Sequence, residues 1–84
     1  MNTAFALMAV HGQALLPLED VGAQYLGISD KEARRRAGLN TLPFPTMRLM
    51  DSQKAPLFVR LEDLARYIDD LAETARSTWE RSAV

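Results

Sequence analysis

Apolar positions fall into blocks with different periods along the chain. Residues 3–10 are almost continuously apolar, with Phe5, Leu7 and Val10, and Leu15-Leu16 follow after His11-Gly12-Gln13. Gly12 can take φ > 0, so residues 1–17 are read as an N-terminal β-hairpin. Ala4, Leu7, Met8 and Ala9 are good helix formers and make a short helix the competing reading. Beyond Pro17, Glu19 and Asp20 sit where a first helical turn meets the positive end of its dipole, and Val21, Tyr25 and Leu26 form an apolar stripe. Gly27 is placed to cap that helix in the left-handed conformation. Ser29-Asp30-Lys31-Glu32 then reads as a capping box, in which the Ser29 hydroxyl accepts from the Glu32 amide and the Glu32 carboxylate reaches back to the Ser29 amide. A second helix over roughly 30–38 follows, with Ile28 as a hydrophobic staple and Ala33 and Ala37 facing the first helix. Two helices joined by Gly27-Ile28-Ser29 make a helix-turn-helix across residues 18–42.

Pro43-Phe44-Pro45 blocks helix continuation and turns the chain extended. Thr46-Met47-Arg48-Leu49-Met50 and Leu57-Phe58-Val59-Arg60 flank the polar turn Asp51-Ser52-Gln53-Lys54-Ala55-Pro56, which predicts an antiparallel wing over 43–60. The last block, 61–82, starts with Glu62-Asp63 and spaces Leu61, Leu64, Ala65, Ile68, Leu71, Ala72, Ala75 and Trp79 by threes and fours, an amphipathic helix. At 1.5 Å per residue it spans about 33 Å, more than one face of so small a domain, so its end overhangs. Ile68, Leu71, Ala72, Ala75 and Trp79 are therefore the expected homodimer surface. The alternative folds these side chains back on the N-terminal hairpin. The fold class is α+β: a single winged helix-turn-helix domain with an N-terminal β-hairpin and a long C-terminal helix.

Charge changes the picture once it is divided along the chain. The 84 residues carry a net charge of −1, which as a whole-chain figure argues against a polyanionic partner. Residues 31–60, however, hold Lys31, Arg34, Arg35, Arg36, Arg48, Lys54 and Arg60 against Glu32 and Asp51, a net +5 between two flanks of −3 each. Such clustering is a footprint that a phosphate-binding protein leaves, although solvated basic faces also occur in proteins that bind nothing. The Arg triplet lies on the second helix of the helix-turn-helix, the element that enters a DNA major groove. The expected DNA surface is therefore Ser29, Lys31, Arg34, Arg35 and Arg36 on that helix, with Arg48, Ser52, Gln53, Lys54 and Arg60 on the wing.

Other chemistry finds no support. His11 is the only histidine and there is no cysteine, so a multi-histidine metal site, a thiolate site and a disulfide framework are excluded. Adjacent carboxylates such as Glu62-Asp63 do not face each other on a helix. No dinucleotide, P-loop or HExxH motif occurs, so neither an enzyme nor a cofactor is expected. No apolar run approaches the roughly 20 residues of a membrane span.

Asn2-Thr3-Ala4-Phe5 with Leu7-Met8, Leu16-Pro17-Leu18, and above all Asp51-Ser52-Gln53-Lys54-Ala55-Pro56 followed by Val59 and Glu62-Asp63-Leu64-Ala65, resemble the pyocin activator protein family, phage-related bacterial regulators of transcription. The resemblance covers nearly the whole chain. It implies DNA binding and transcriptional activation of pyocin or prophage-type genes. The expected protein is therefore a cytoplasmic, nucleoid-associated binder of double-stranded DNA whose acidic C-terminal helix faces away from DNA and is available to RNA polymerase. Two other functions suit the same residues: an excisionase-like factor that bends DNA, and a phage adapter that binds a host protein.

Overall fold

The computed structural model describes residues 2–82. Its elements are α1 (Thr3–His11), β1 (Leu15–Pro17), α2 (Leu18–Val21) running directly into a π-helical turn (Gly22–Leu26), α3 (Asp30–Gly38), β2 (Met47–Arg48), β3 (Leu57–Arg60) and α4 (Leu61–Ser82). The architecture is α+β, four helices around a three-stranded antiparallel sheet of order β1-β3-β2.

The N-terminal block is a helix and not the expected hairpin. Asn2 caps it, its side-chain oxygen accepting from the Phe5 amide at 3.3 Å, and Gly12 ends it at φ 71 with its amide donating to the Met8 carbonyl at 2.8 Å. Gly12 does use positive φ, but as a C-cap. The block lacks the alternation of a half-buried strand, and the strand that follows it, β1, has its partner elsewhere. Leu16 pairs with Val59 of β3, and Leu15 with Arg60. A helix satisfies the backbone of 3–11 locally, whereas a hairpin would have needed β1. α1 lies antiparallel to α4, since Thr3 bonds Asp69 at one end while the Leu61 amide donates to the Ala14 carbonyl at 2.8 Å at the other.

Between β1 and α3 the chain packs closely. Gly22 is buried, and a Cβ built on it would stand 3.3 Å from the Ala33 Cβ and 3.4 Å from Ile28 Cγ1. Ile28 and Ala33 are the residues before and four after the Ser29 cap, so the expected staple closes around Gly22. Gly27, at φ 66, donates its amide to the Gly22 carbonyl, the wide i→i+5 bond that makes this turn π-helical. That turn corrects the expected stripe: Val21 is buried and Leu26 packs on the core, but Tyr25 swings out to 38% exposure, its hydroxyl 2.8 Å from His11 Nε2.

Leu7, Leu16, Leu18, Val21, Ala33, Phe44, Val59, Leu61, Leu64 and Ala65 form one buried cluster drawn from nearly every element. Phe44 reaches α4 and meets Tyr67 edge to face, ring centroids 5.7 Å apart. α3 ends at Gly38, with Leu39 as its C-cap, before the Pro43-Phe44-Pro45 block. Asn40 takes φ 56, and the Thr41 amide closes back on the Arg36 carbonyl at 2.9 Å.

Only the first half of α4 is covered. Leu61, Leu64 and Ala65 are buried, whereas every residue from Asp69 to Ser82 is exposed. The overhang lengthens the molecule, whose extents are 53 by 27 by 16 Å. Leu71, Ala72, Ala75 and Trp79 do not fold back on the N-terminal segment, which overturns the fold-back alternative. Among the described residues no helix is long and apolar enough to cross a membrane.

Candidate nucleic-acid interface

α3 begins as the sequence implies and then diverges in one respect. The Ser29 hydroxyl accepts from the Glu32 amide at 3.1 Å. The Glu32 carboxylate does not return to the Ser29 amide. Arg35 takes it with both Nε (2.9 Å) and Nη2 (2.6 Å), and Arg36 Nε adds a third bond at 2.8 Å. Those hydrogen bonds, from Arg35 first and Arg36 second, hold the Glu32 carboxyl down to about 2. Arg34 pairs with Asp30 one turn earlier, which holds the Asp30 carboxyl below its usual range and raises the guanidinium. Four cations against two carboxylates leave α3 a net +2. These pairs are exposed, so they orient the guanidinium groups at little cost to exchange with another anion.

The sheet sorts the charges of the β2–β3 hairpin. Antiparallel partners share a face and neighbours in a strand alternate. Val59 and Leu57 of β3 face the helices, and Arg48, paired with Leu57, shares their side. Phe58 and Arg60 face the other way, and Arg60 Nη2 pairs with Glu62 at 3.1 Å. Arg48 and Arg60 therefore lie on opposite faces of the sheet.

Two depressions join α3 to the β2–β3 hairpin. The larger, about 660 Å³, runs from Arg34, Ala37, Gly38 and Asn40 across to residues 45–53 and Leu57. The smaller, about 200 Å³, is lined by Pro17, Leu18 and Glu19, by Asp30 and Arg34, and by Arg48 with the turn Gln53 to Leu57. Arg34, Arg48 and Gln53 border both. Ser52 lines the larger and Lys54 the smaller, and the Ser52 hydroxyl accepts from the Lys54 amide at 3.2 Å and shapes the turn.

Of the residues singled out in the sequence, Arg34, Arg48, Ser52, Gln53 and Lys54 meet around this groove. Ser29, Lys31 and Arg35 lie exposed on α3 but do not line it. Arg36 is half-buried at the border of the helix face, as its helical position implied. Arg60 stands apart. The sequence reading missed Asn40, although an Asn just past a helix end is itself a signal for the left-handed conformation. It also missed Leu49 and Met50, exposed at 63% and 72% on the groove's wing side. As wing-strand residues they were expected to alternate, but β2 ends at Arg48 and leaves both outside the sheet.

A family model described as "Pyocin activator protein PrtN" matches residues 3–75. No curated protein and no solved structure matches the chain.

Proposed function

The chain belongs to the pyocin activator protein family, which makes it a regulator of pyocin genes, and from this premise we propose that it acts by binding double-stranded DNA as a winged helix-turn-helix dimer. The observation that carries this reading is the groove in which Arg34 of α3, Arg48 of β2, and Gln53 and Lys54 of the turn converge from separate elements. In a winged arrangement α3 enters the major groove with its N-terminal half towards base edges, and the β2–β3 turn lies along the neighbouring backbone. Arg34 then reads a guanine through O6 and N7, while Arg48 and Lys54 hold phosphates and set register. Lys31, Arg35 and Ser29 extend the contact along α3. Leu49 and Met50 supply apolar contact of the kind that a thymine methyl accepts.

Gel-shift and anisotropy titrations against promoter fragments of pyocin genes, repeated at several salt concentrations, test this. The affinity should fall steeply with salt, and Lys54→Ala should weaken all sequences alike and reduce the salt slope by about one. Retention of full affinity by Arg34→Ala and Lys54→Ala together would remove the assigned surface. Absence of any salt-sensitive shift would favour the adapter reading over DNA binding.

A further inference from the structure

The exposed half of α4 carries enough information to fix how two copies meet, an inference that rests on the dimer reading above. Leu61, Ala65, Ile68, Ala72, Ala75 and Trp79 alternate spacings of four and three, the a/d seam of a coiled coil. The first two are buried in the chain's own core and Ile68 is half-buried at its edge, so the fully open seam runs from Ala72, with Ile68 at its margin. Beyond it, Ala72, Ala75, Arg76 and Trp79 surround a shallow depression of about 580 Å³. Their spacing of i, i+3, i+4, i+7 is that of the hole which receives a knob from a facing helix.

We propose that this segment pairs antiparallel with the same segment of a second copy, Ile68 against the second copy's Trp79 and Ala72 against its Ala75, with Asp69 of each chain meeting Arg76 of the other. Two independent features select that register. Sterically, it is the deepest overlap available. One further heptad step would set Trp79 against Leu61 and Ala75 against Ala65, both already covered by the chain's own core. Electrostatically, Asp69 and Arg76 both lie on one flank of the seam, one position beyond Ile68 and Ala75, and only an antiparallel pairing brings one to the other. A parallel pairing leaves each of them opposite an apolar residue. Arg76 has no ion-pair partner among the described residues of its own chain. Asp69 is already oriented by the hydroxyl of Thr3, so the incoming guanidinium meets a carboxylate held in place. Ala72 of the second copy enters the depression with its Leu71 alongside, which covers the 52% and 66% exposures of Leu71 and Trp79. In this register the two α4 starts stand about 38 Å apart, by 1.5 Å per residue, comparable with the roughly 34–36 Å of one DNA turn.

Because the chain has no cysteine, disulfide trapping reads the register directly. Ala72→Cys mixed with Ala75→Cys should crosslink readily under mild oxidation, and Ala72→Cys alone should not. By sedimentation, Asp69→Lys and Arg76→Glu should each weaken self-association about tenfold, and an equimolar mixture of the two should restore it, since each then faces its opposite. Arg76 is exposed and has no hydrogen-bond or ion-pair partner among the described residues, so circular dichroism of Arg76→Glu should report an unchanged fold. Efficient crosslinking of Ala72→Cys alone, or no rescue on mixing, overturns the antiparallel register while leaving a dimer standing. A chain that sediments as a monomer throughout overturns the dimer as well, and DNA binding is judged separately by the shift assays.

Discussion

Arg34 and Arg60 carry the same charge but stand on different faces of the molecule, and this difference is testable side chain by side chain. Arg34→Ala should lower affinity for a specific site about ten- to a hundredfold and flatten preference at the contacted base pair. Arg60→Ala, on the far face and paired with Glu62, should change affinity by less than about twofold in the same anisotropy titrations, within the range of ordinary surface substitutions. Glu32 supports a prediction in pH. Its carboxyl is held at about 2 against an ordinary 4.5. A depressed carboxylate contributes its clamp on Arg35 and Arg36 fully above the ordinary value, and loses it as pH falls from 4.5 towards 2. Carbon-detected NMR titration of the Glu32 carboxyl should find its midpoint well below that of a free glutamate. A midpoint near 4.5 would mean that the two arginines are not held in solution.

At the scale of elements, the two glycines of the helix pair behave oppositely. Gly22 has no room for a Cβ, because Ala33 is fully buried on a packed helix and can yield only if α3 moves. Gly22→Ala should cost about 1–3 kcal/mol in urea unfolding, the penalty of overpacking a filled core. Gly38 has nothing within 4 Å of where its Cβ would stand and no positive φ. Gly38→Ala should therefore add about 0.5–1 kcal/mol in the same measurement. The helix pair was legible because its signals are local: a capping box, a Gly cap and two alanines on one face. The N-terminal helix was not, since a nearly uniform apolar run has no period to read, and the deciding fact, that β3 takes β1 as its partner, lies more than 40 residues away in sequence. The π-helical turn was hidden for a related reason, as nothing in Gly22 to Leu26 distinguishes an i→i+5 bond from an ordinary turn. The turn between β2 and β3 was legible from its polar composition. The separation of Arg48 from Arg60 depends on register, and a one-residue difference in register exchanges the faces of a strand.

For the whole molecule, the net charge of −1 is an average over a cationic middle and two acidic flanks, and the flanks have separate structural tasks. The first flank supplies the helix that covers α4 and the start of the sheet. The second is α4 itself, whose residues from Asp70 to Ser82 are exposed. Ending the chain after Asp70 should therefore leave the core cluster intact and the melting temperature of a dilute sample nearly unchanged, because Leu61, Leu64 and Ala65 remain in place. The same truncation should abolish self-association and reduce the salt slope of DNA binding to about half, since the slope counts phosphates contacted and one module contacts half as many as two. A footprint on promoter DNA should contract from two half-sites to one. Thermal melting, sedimentation and footprinting on a single preparation separate the possibilities: a truncated chain that melts early assigns the overhang to folding, whereas one that melts normally and still protects two half-sites places the second copy's contact elsewhere on the surface.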